Sequence, residues 1–324
     1  MTKKWLDIKE GEVVILTDRV ASTEQVHVFD KPSIEAVNAA LAARRPLLVR
    51  GEPGTGKSQL ACAAAAALGR PCLGHVVDSR TTAQELLWNF DAVARLAEAQ
   101  LAGALRLPEP EVKKRLEVRS FVTPGPLWWA LNWKTAKDQT DLIKVEAPHS
   151  PVGWQPGDGA VMLIDEIDKA DSDLPNGLLE VLGQGSFRPH GFGDSLCLAG
   201  EMPLVVITTN EERALPDAFL RRCLVLHIEL PKDKTHLQEL LIARGQAHFR
   251  ERKITTRVLA EAARQLVEDR EDLKERNLPA PGQAEYLDLV RALTNKESDE
   301  TKQLEWLETI KSYVLQKHPK DSQG

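Results

Sequence analysis

The 324-residue chain is 42% hydrophobic and 28% charged, with a formal net charge of -6, and its length overfills one hydrophobic core but fits one large domain with a small one. The acidic balance gives no overall basic footprint, so nucleic acid is not an expected partner. The longest bland run, Ala61 to Leu68, falls well short of the roughly 20 apolar residues that cross a bilayer, so no membrane is expected as a partner either.

In chain order, residues 1 to 34 mix short apolar pieces such as Val13-Val14-Ile15-Leu16 with polar turns and read as an amino-terminal extension lying on the first domain. Lys3, Lys4 and Lys9 are interspersed with Asp7, Glu10 and Glu12, leaving no apolar core for a signal peptide. Pro46-Leu47-Leu48-Val49-Arg50 is a short apolar run followed by a glycine loop and an alanine-rich helical stretch. Similar runs recur at His75-Val76-Val77, at Ala160 to Ile164, at Leu204 to Ile207 and at Leu224 to Ile228, separated by segments of helical content. That alternation predicts an α/β fold, a five-stranded parallel sheet covered by helices on both faces.

Trp128, Trp129 and Trp133 cluster on a short helix after Pro124-Gly125-Pro126, where they serve either local core packing or a substrate or intersubunit surface. Lys134 to Pro156 is polar and reads as an exposed loop. Glycines within Ser186 to Asp194 predict a hairpin inserted before the fourth strand. Beyond Pro231 no strand signal remains: Leu237 to His248, Thr256 to Val267, Ala284 to Leu293 and Leu304 to Leu315 carry apolar residues at helical spacing and form a second, all-helical lobe. Cys62, Cys72, Cys197 and Cys223 have no C-x-x-C spacing, which argues against a zinc ribbon or a dithiol site and for buried reduced thiols in a cytoplasmic protein.

Four short stretches carry chemistry. Gly51-Glu52-Pro53-Gly54-Thr55-Gly56-Lys57-Ser58, with Gln59 behind it, matches the phosphate-binding P-loop. In that loop backbone N–H groups surround phosphate oxygens, glycines permit close approach, the lysine reaches the outer phosphates of ATP and the serine holds Mg²⁺. Val161-Met162-Leu163-Ile164-Asp165-Glu166 is an apolar strand ending in two carboxylates. Asp165 suits Mg²⁺ and Glu166 suits activation of the attacking water, although two acids after a strand also occur as a plain helix cap. Asn210 ends the next apolar run, where open parallel sheets bind ligands, and is otherwise an ordinary turn residue. Arg221 and Arg222 precede the last strand, where they either stabilise charge on a transferring phosphoryl group or complement a helix end.

Taken together, these stretches resemble the AAA+ superfamily, and specifically its MoxR-like branch. The resemblance runs through the P-loop, Gly125-Pro126-Leu127-Trp128, Leu163 to Ala170, Leu178-Leu179-Glu180, Thr209-Asn210 and Leu215 to Arg222. It implies an αβα nucleotide-binding domain over residues 35 to 231 and a helical lid over 232 to 324, with ATP and Mg²⁺ held between subunits of a ring, usually six. It also implies a sensor-1 role for Asn210 and an arginine-finger role for Arg221 or Arg222. Two departures stand out: Leu220-Arg221-Arg222-Cys223 replaces the usual Leu-Asp-Arg-Phe, and no basic residue stands at the sensor-2 place, Gln283, leaving Gln283, Arg291 or neither for that task.

The reading favoured by these features is an ATP-hydrolysing, ring-forming remodelling motor acting on a client or adaptor protein, in similar systems often of von Willebrand factor A type. Alternatives are a nucleotide-controlled assembly switch in a defence or signalling complex, and the motor subunit of a nucleic-acid-acting complex, which would need a basic, aromatic pore surface. Neither the Asn-Lys-x-Asp motif of GTPases nor the Leu-Ser-Gly-Gly signature of ABC transporter ATPases occurs.

Overall fold

The computed structural model describes residues 3–16, 25–276 and 278–314. Parts of the expected amino-terminal extension, and Leu315 at the end of the last expected helix, lie outside them.

A hairpin of β1 (Val13–Leu16) and β2 (Gln25–Val28) precedes helix α1 (Lys31–Ala43). Strand β3 (Leu47–Arg50) runs through the glycine loop into α2 (Lys57–Leu68), and β4 (Cys72–Val76) follows. An insertion then holds α3 (Ala83–Leu87), β5 (Trp88–Phe90), α4 (Ala92–Ala104), α5 (Glu109–Arg115), β6 (Val122–Pro124), α6 (Pro126–Leu131) and α7 (Trp133–Ile143). Next come β7 (Val161–Asp165), α8 (Asp173–Gln184), the short strands β8 (Ser186–Phe187) and β9 (Leu196–Cys197), and β10 (Leu204–Thr209). After α9 (Asp217–Leu220) and β11 (Leu224–His227) the described residues hold only helices: α10 (Lys234–His248), α11 (Thr256–Glu275), α12 (Gln283–Lys296) and α13 (Glu300–Val314). None of the helices among the described residues is long and apolar enough to cross a membrane.

The described residues form two compact units: one draws on Met1–Ile8, Lys31–Arg50 and Ala64–Leu226, the other on Lys9–Asp30, Gly51–Ala63 and His227–Gly324. The stretch 1–34 is therefore divided between them.

The first unit is built on the expected five-stranded parallel sheet, in the order β11-β3-β10-β7-β4. Its middle strands are apolar on both faces because both are covered: Leu47, Leu48 and Val49 are fully buried, and so is nearly all of Leu204 to Thr209. Edge strand β4 instead alternates, with Leu73 inside and Val76 outside. Because the strands are parallel, the carboxyl ends of β3, β7 and β10 share one edge of the sheet, and the acidic pair and Asn210 stand at the ends of the last two.

The tryptophans belong to the core of this unit. Trp129, Trp133 and Trp154 stack edge to face, with ring centroids 4.9 Å and 4.6 Å apart, while buried Trp128 donates its indole N–H to Thr135 Oγ1 at 2.9 Å. The loop expected from Lys134 begins instead as helix α7, capped by the Asn132 side chain on the Thr135 N–H. Its inward face carries Trp133, Ala136, Gln139 and Thr140; the amide nitrogen of polar Gln139 donates to Arg119 O and Val122 O, while its Oε1 is buried without a hydrogen-bond partner. The expected hairpin is present, Ser186 opposite Cys197 and Phe187 opposite Leu196. Of the thiols expected to be buried, Cys223 is; Cys62 and Cys72 are half-buried and Cys197 is exposed, since short β9 leaves its outer face uncovered.

The second unit packs α10, α11, α12 and α13 around Leu241, Val258, Ala262, Leu266, Tyr286, Val290 and Leu307. Gly245 permits the tight crossing: a Cβ there would lie 2.7 Å from Leu259 and 2.8 Å from the Tyr286 hydroxyl. The β1–β2 hairpin belongs to this unit, where Arg244 of α10 donates to Val28 O.

Candidate functional site

The glycine loop lies at the edge of what L-amino acids can adopt. Gly51, Gly54 and Gly56 have φ of 150°, 74° and 92°, and a Cβ on Gly51 would sit 2.2 Å from Ile228 O. Only glycine fits such a backbone and such an approach. The loop closes on itself through Thr55 Oγ1, which donates to Glu52 O at 2.9 Å, and through the buried Lys57 ammonium, which donates to Gly51 O and Glu52 O at 2.8 Å each. Ser58 follows in the first turn of α2, at the positive end of the helix dipole, and that turn carries no acidic residue of its own. Gln59 is half-buried and its amide reaches Gln25 Oε1 at 3.5 Å. Pro53 lies on the exposed outer bend of the loop.

In the first unit, Asp165, Glu166 and Asn210 are brought together by a residue that sequence reasoning passed over. Thr208, one position from the end of β10, donates its hydroxyl to Asp165 Oδ1 and accepts the Glu166 N–H at 2.9 Å. That bond holds Glu166 in the left-handed region, φ 60° and ψ 47°, where a residue with a Cβ is strained by about 1 kcal/mol. The Glu166 carboxylate accepts from Asn210 Nδ2 at 3.4 Å and from Lys169 Nζ at 2.6 Å. The same contact pushes the Lys169 pKa up, first through the hydrogen bond and then through the carboxylate charge.

A second missed residue is Asp168, only 2% exposed. Its carboxylate accepts the backbone N–H groups of Asn210 at 3.2 Å and Glu212 at 2.9 Å, which fixes the loop that presents the Asn210 amide. The signal available in the sequence was its place two residues after the acidic pair, but spacing alone does not separate a buried anchor from a helix cap.

Arg221 and Arg222 are exposed and are not gathered with the acidic pair by any contact among the described residues. Their backbone is gripped by Arg45, whose guanidinium donates to Arg222 O at 3.0 Å, to Cys223 O at 3.3 Å and to Arg221 O. Together with Arg44 and the apolar side chains of Leu179 and Leu182 they line a cleft of about 460 Å³. In the second unit, Gln283 is buried as the first residue of α12, and Arg291 further along is paired with Asp288.

A family model described as AAA domain (dynein-related subfamily) matches residues 46–223, a span that contains the glycine loop, the acidic pair, Asn210 and the arginine pair. No curated protein matches the chain.

Proposed function

The chain belongs to the AAA domain family, dynein-related subfamily, whose members are P-loop ATPases, and from that premise we propose that it is a Mg²⁺-dependent, ring-forming ATPase that remodels a partner protein. The observation that carries the reading is the glycine loop, whose backbone at Gly51 admits no side chain and whose only buried cation is Lys57. Such a cradle of N–H groups at a helix start suits a polyphosphate.

In this reading the Lys57 ammonium exchanges the carbonyls of Gly51 and Glu52 for the outer phosphate oxygens, a swap of one set of acceptors for a more strongly charged one. Ser58 and Asp165 would hold Mg²⁺, a cation that takes few protein ligands. Glu166 acts as base on the attacking water once Lys169 releases it, and Asn210 orients that water or a γ-phosphate oxygen. Arg221 or Arg222 reaches into the site of a neighbouring subunit, their exposure and the Arg45 grip on their backbone supporting that use.

Placement in the MoxR-like branch is finer than the family match; Gly125-Pro126-Leu127-Trp128 and the hairpin before β10 support it. A cytosolic hexamer acting through a client or a von Willebrand factor A type adaptor follows from that placement. Nucleotide titration and steady-state ATPase assays test the core of the proposal. Lys57→Ala is expected to lose ATP binding, and Glu166→Gln to keep ATP bound while turnover falls by at least 100-fold; wild-type affinity in the first or wild-type turnover in the second refutes the assigned role. Affinity capture with ATP-loaded Glu166→Gln is expected to retain a protein, and recovery of nucleic acid instead would point to the motor of a nucleic-acid complex.

A further inference from the structure

Only two charged side chains of the second unit are buried among the described residues, and both meet at Glu52. Lys57 is one, on the Glu52 carbonyl. The other is Arg270 of α11, 4% exposed. A buried guanidinium is costly unless its charge is paired and its donors are used. Arg270 satisfies both conditions: Nη1 donates to Pro281 O at 2.9 Å in the α11–α12 turn, and Nη2 is ion-paired with the Glu52 carboxylate 218 residues away in sequence. Lys274, one turn on, stands 3.7 Å from the other Glu52 oxygen.

The glycine loop touches the same turn twice more. The Ala284 N–H, at the start of α12, donates to Gly54 O at 3.1 Å, and a Cβ on Gly54 would fall 2.9 Å from the Ala284 Cβ. Glu52 thus has its carbonyl on the phosphate-reaching lysine and its carboxylate on the α11–α12 turn. Any movement of Lys57 toward a phosphate removes a donor from the residue that Arg270 holds.

We propose that Arg270 is a positioning residue for the phosphate loop: through Glu52 it ties the loop to the α11–α12 turn, so that nucleotide in the loop and the set of residues 279–286 are linked without a basic side chain at Gln283. The inference rests on the loop's binding of ATP and ADP proposed above. It assigns the linkage to an ion pair on the protein side of the loop.

The test compares full-length wild type, Glu52→Gln, Arg270→Gln, Arg270→Lys and the Glu52→Gln/Arg270→Gln double variant by equilibrium titration with a fluorescent ADP, by kcat and KM for ATP, and by hydrogen exchange of 279–286 with and without ADP. Glu52 is half-exposed, so Glu52→Gln keeps the shape and carries the test alone if Arg270→Gln fails to fold. The expected result is about a 10-fold loss of ADP affinity in each single variant, KM rising more than kcat falls, and loss of ADP-induced protection in 279–286. Arg270→Lys regains part of the affinity, and the double variant is no worse than the weaker single one, as for two groups acting through one contact. Affinity within twofold of wild type with ADP-induced protection intact, or penalties that simply add, overturns the proposal. Lys57→Ala run alongside separates the two ideas: loss of binding there with normal Glu52 and Arg270 variants removes only the Arg270 linkage, whereas wild-type binding there removes the nucleotide site and the linkage with it.

Discussion

The glycine loop and the acidic strand ends reach the same order of precision by opposite means. In the loop the backbone itself is the device, and side chains matter mainly by their absence at Gly51 and Gly54. At the strand ends the backbone is ordinary except at Glu166 and Glu211, both left-handed, and the arrangement depends on side-chain oxygens of Thr208 and Asp168 that accept or bridge specific N–H groups. The loop is therefore intolerant of any added atom, while the acidic edge is intolerant of any lost one.

That contrast can be broken by substitution. The largest effect is expected for Gly51→Ala, whose methyl would meet the Ile228 carbonyl; a loss of about 3 kcal/mol in chemical denaturation is expected, and a loss under 1 kcal/mol would mean that the loop yields. Asp168→Ala should follow at about 2 kcal/mol, since it strands the N–H groups of Asn210 and Glu212, with turnover falling more than ATP affinity because the Asn210 amide loses its aim. A drop in affinity with turnover preserved would contradict that assignment.

Acid should separate the two units as well. Burial and then the nearby Arg244 charge hold His27 down at about 4, and burial and Arg244 do the same to His248. The unfolded chain binds more protons than the folded one between pH 6.5 and 4, so the stability these residues lend is present above 6.5 and is lost as pH falls through that window. His27 alone should cost about 1 kcal/mol at pH 5.5, read as faster hydrogen exchange in the hairpin and α10; exchange there that is unchanged between pH 7.5 and 5.5, after correction for intrinsic rates, would count against it. The smallest effect has the opposite sign. Glu166→Gly relieves a left-handed residue and gives up an exposed pair with Lys169 that is worth little, so a gain of about 0.5 kcal/mol is expected together with abolished turnover, and a net loss of stability would show that the Lys169 and Asn210 contacts outweigh the strain.

What could be read in advance follows the same division. The P-loop, the acidic pair and the strand alternation are local patterns with fixed spacing, and the five-stranded parallel sheet followed from them. Asp168 lies inside the Leu163 to Ala170 stretch and Thr208 one residue before Thr209-Asn210, yet their work depends on partners 42 to 44 residues away. Helix α7 was missed because Gln139 and Thr140 face inward, and polar residues that find buried acceptors erase the hydrophobic stripe on which the reading depends. Nothing near Glu52 in sequence announces Arg270.

The edge-to-face stack of Trp129, Trp133 and Trp154 has an optical consequence. Of the seven tryptophans, Trp5, Trp88, Trp128, Trp129, Trp133 and Trp154 lie in the first unit and only Trp306 in the second. Intrinsic emission of this protein is consequently a gauge of the sheet-bearing unit and nearly blind to the helical one. A fluorescence melt and a far-ultraviolet dichroism melt of the same sample therefore watch different parts of the chain, and any gap between their midpoints measures how independently the two units come apart.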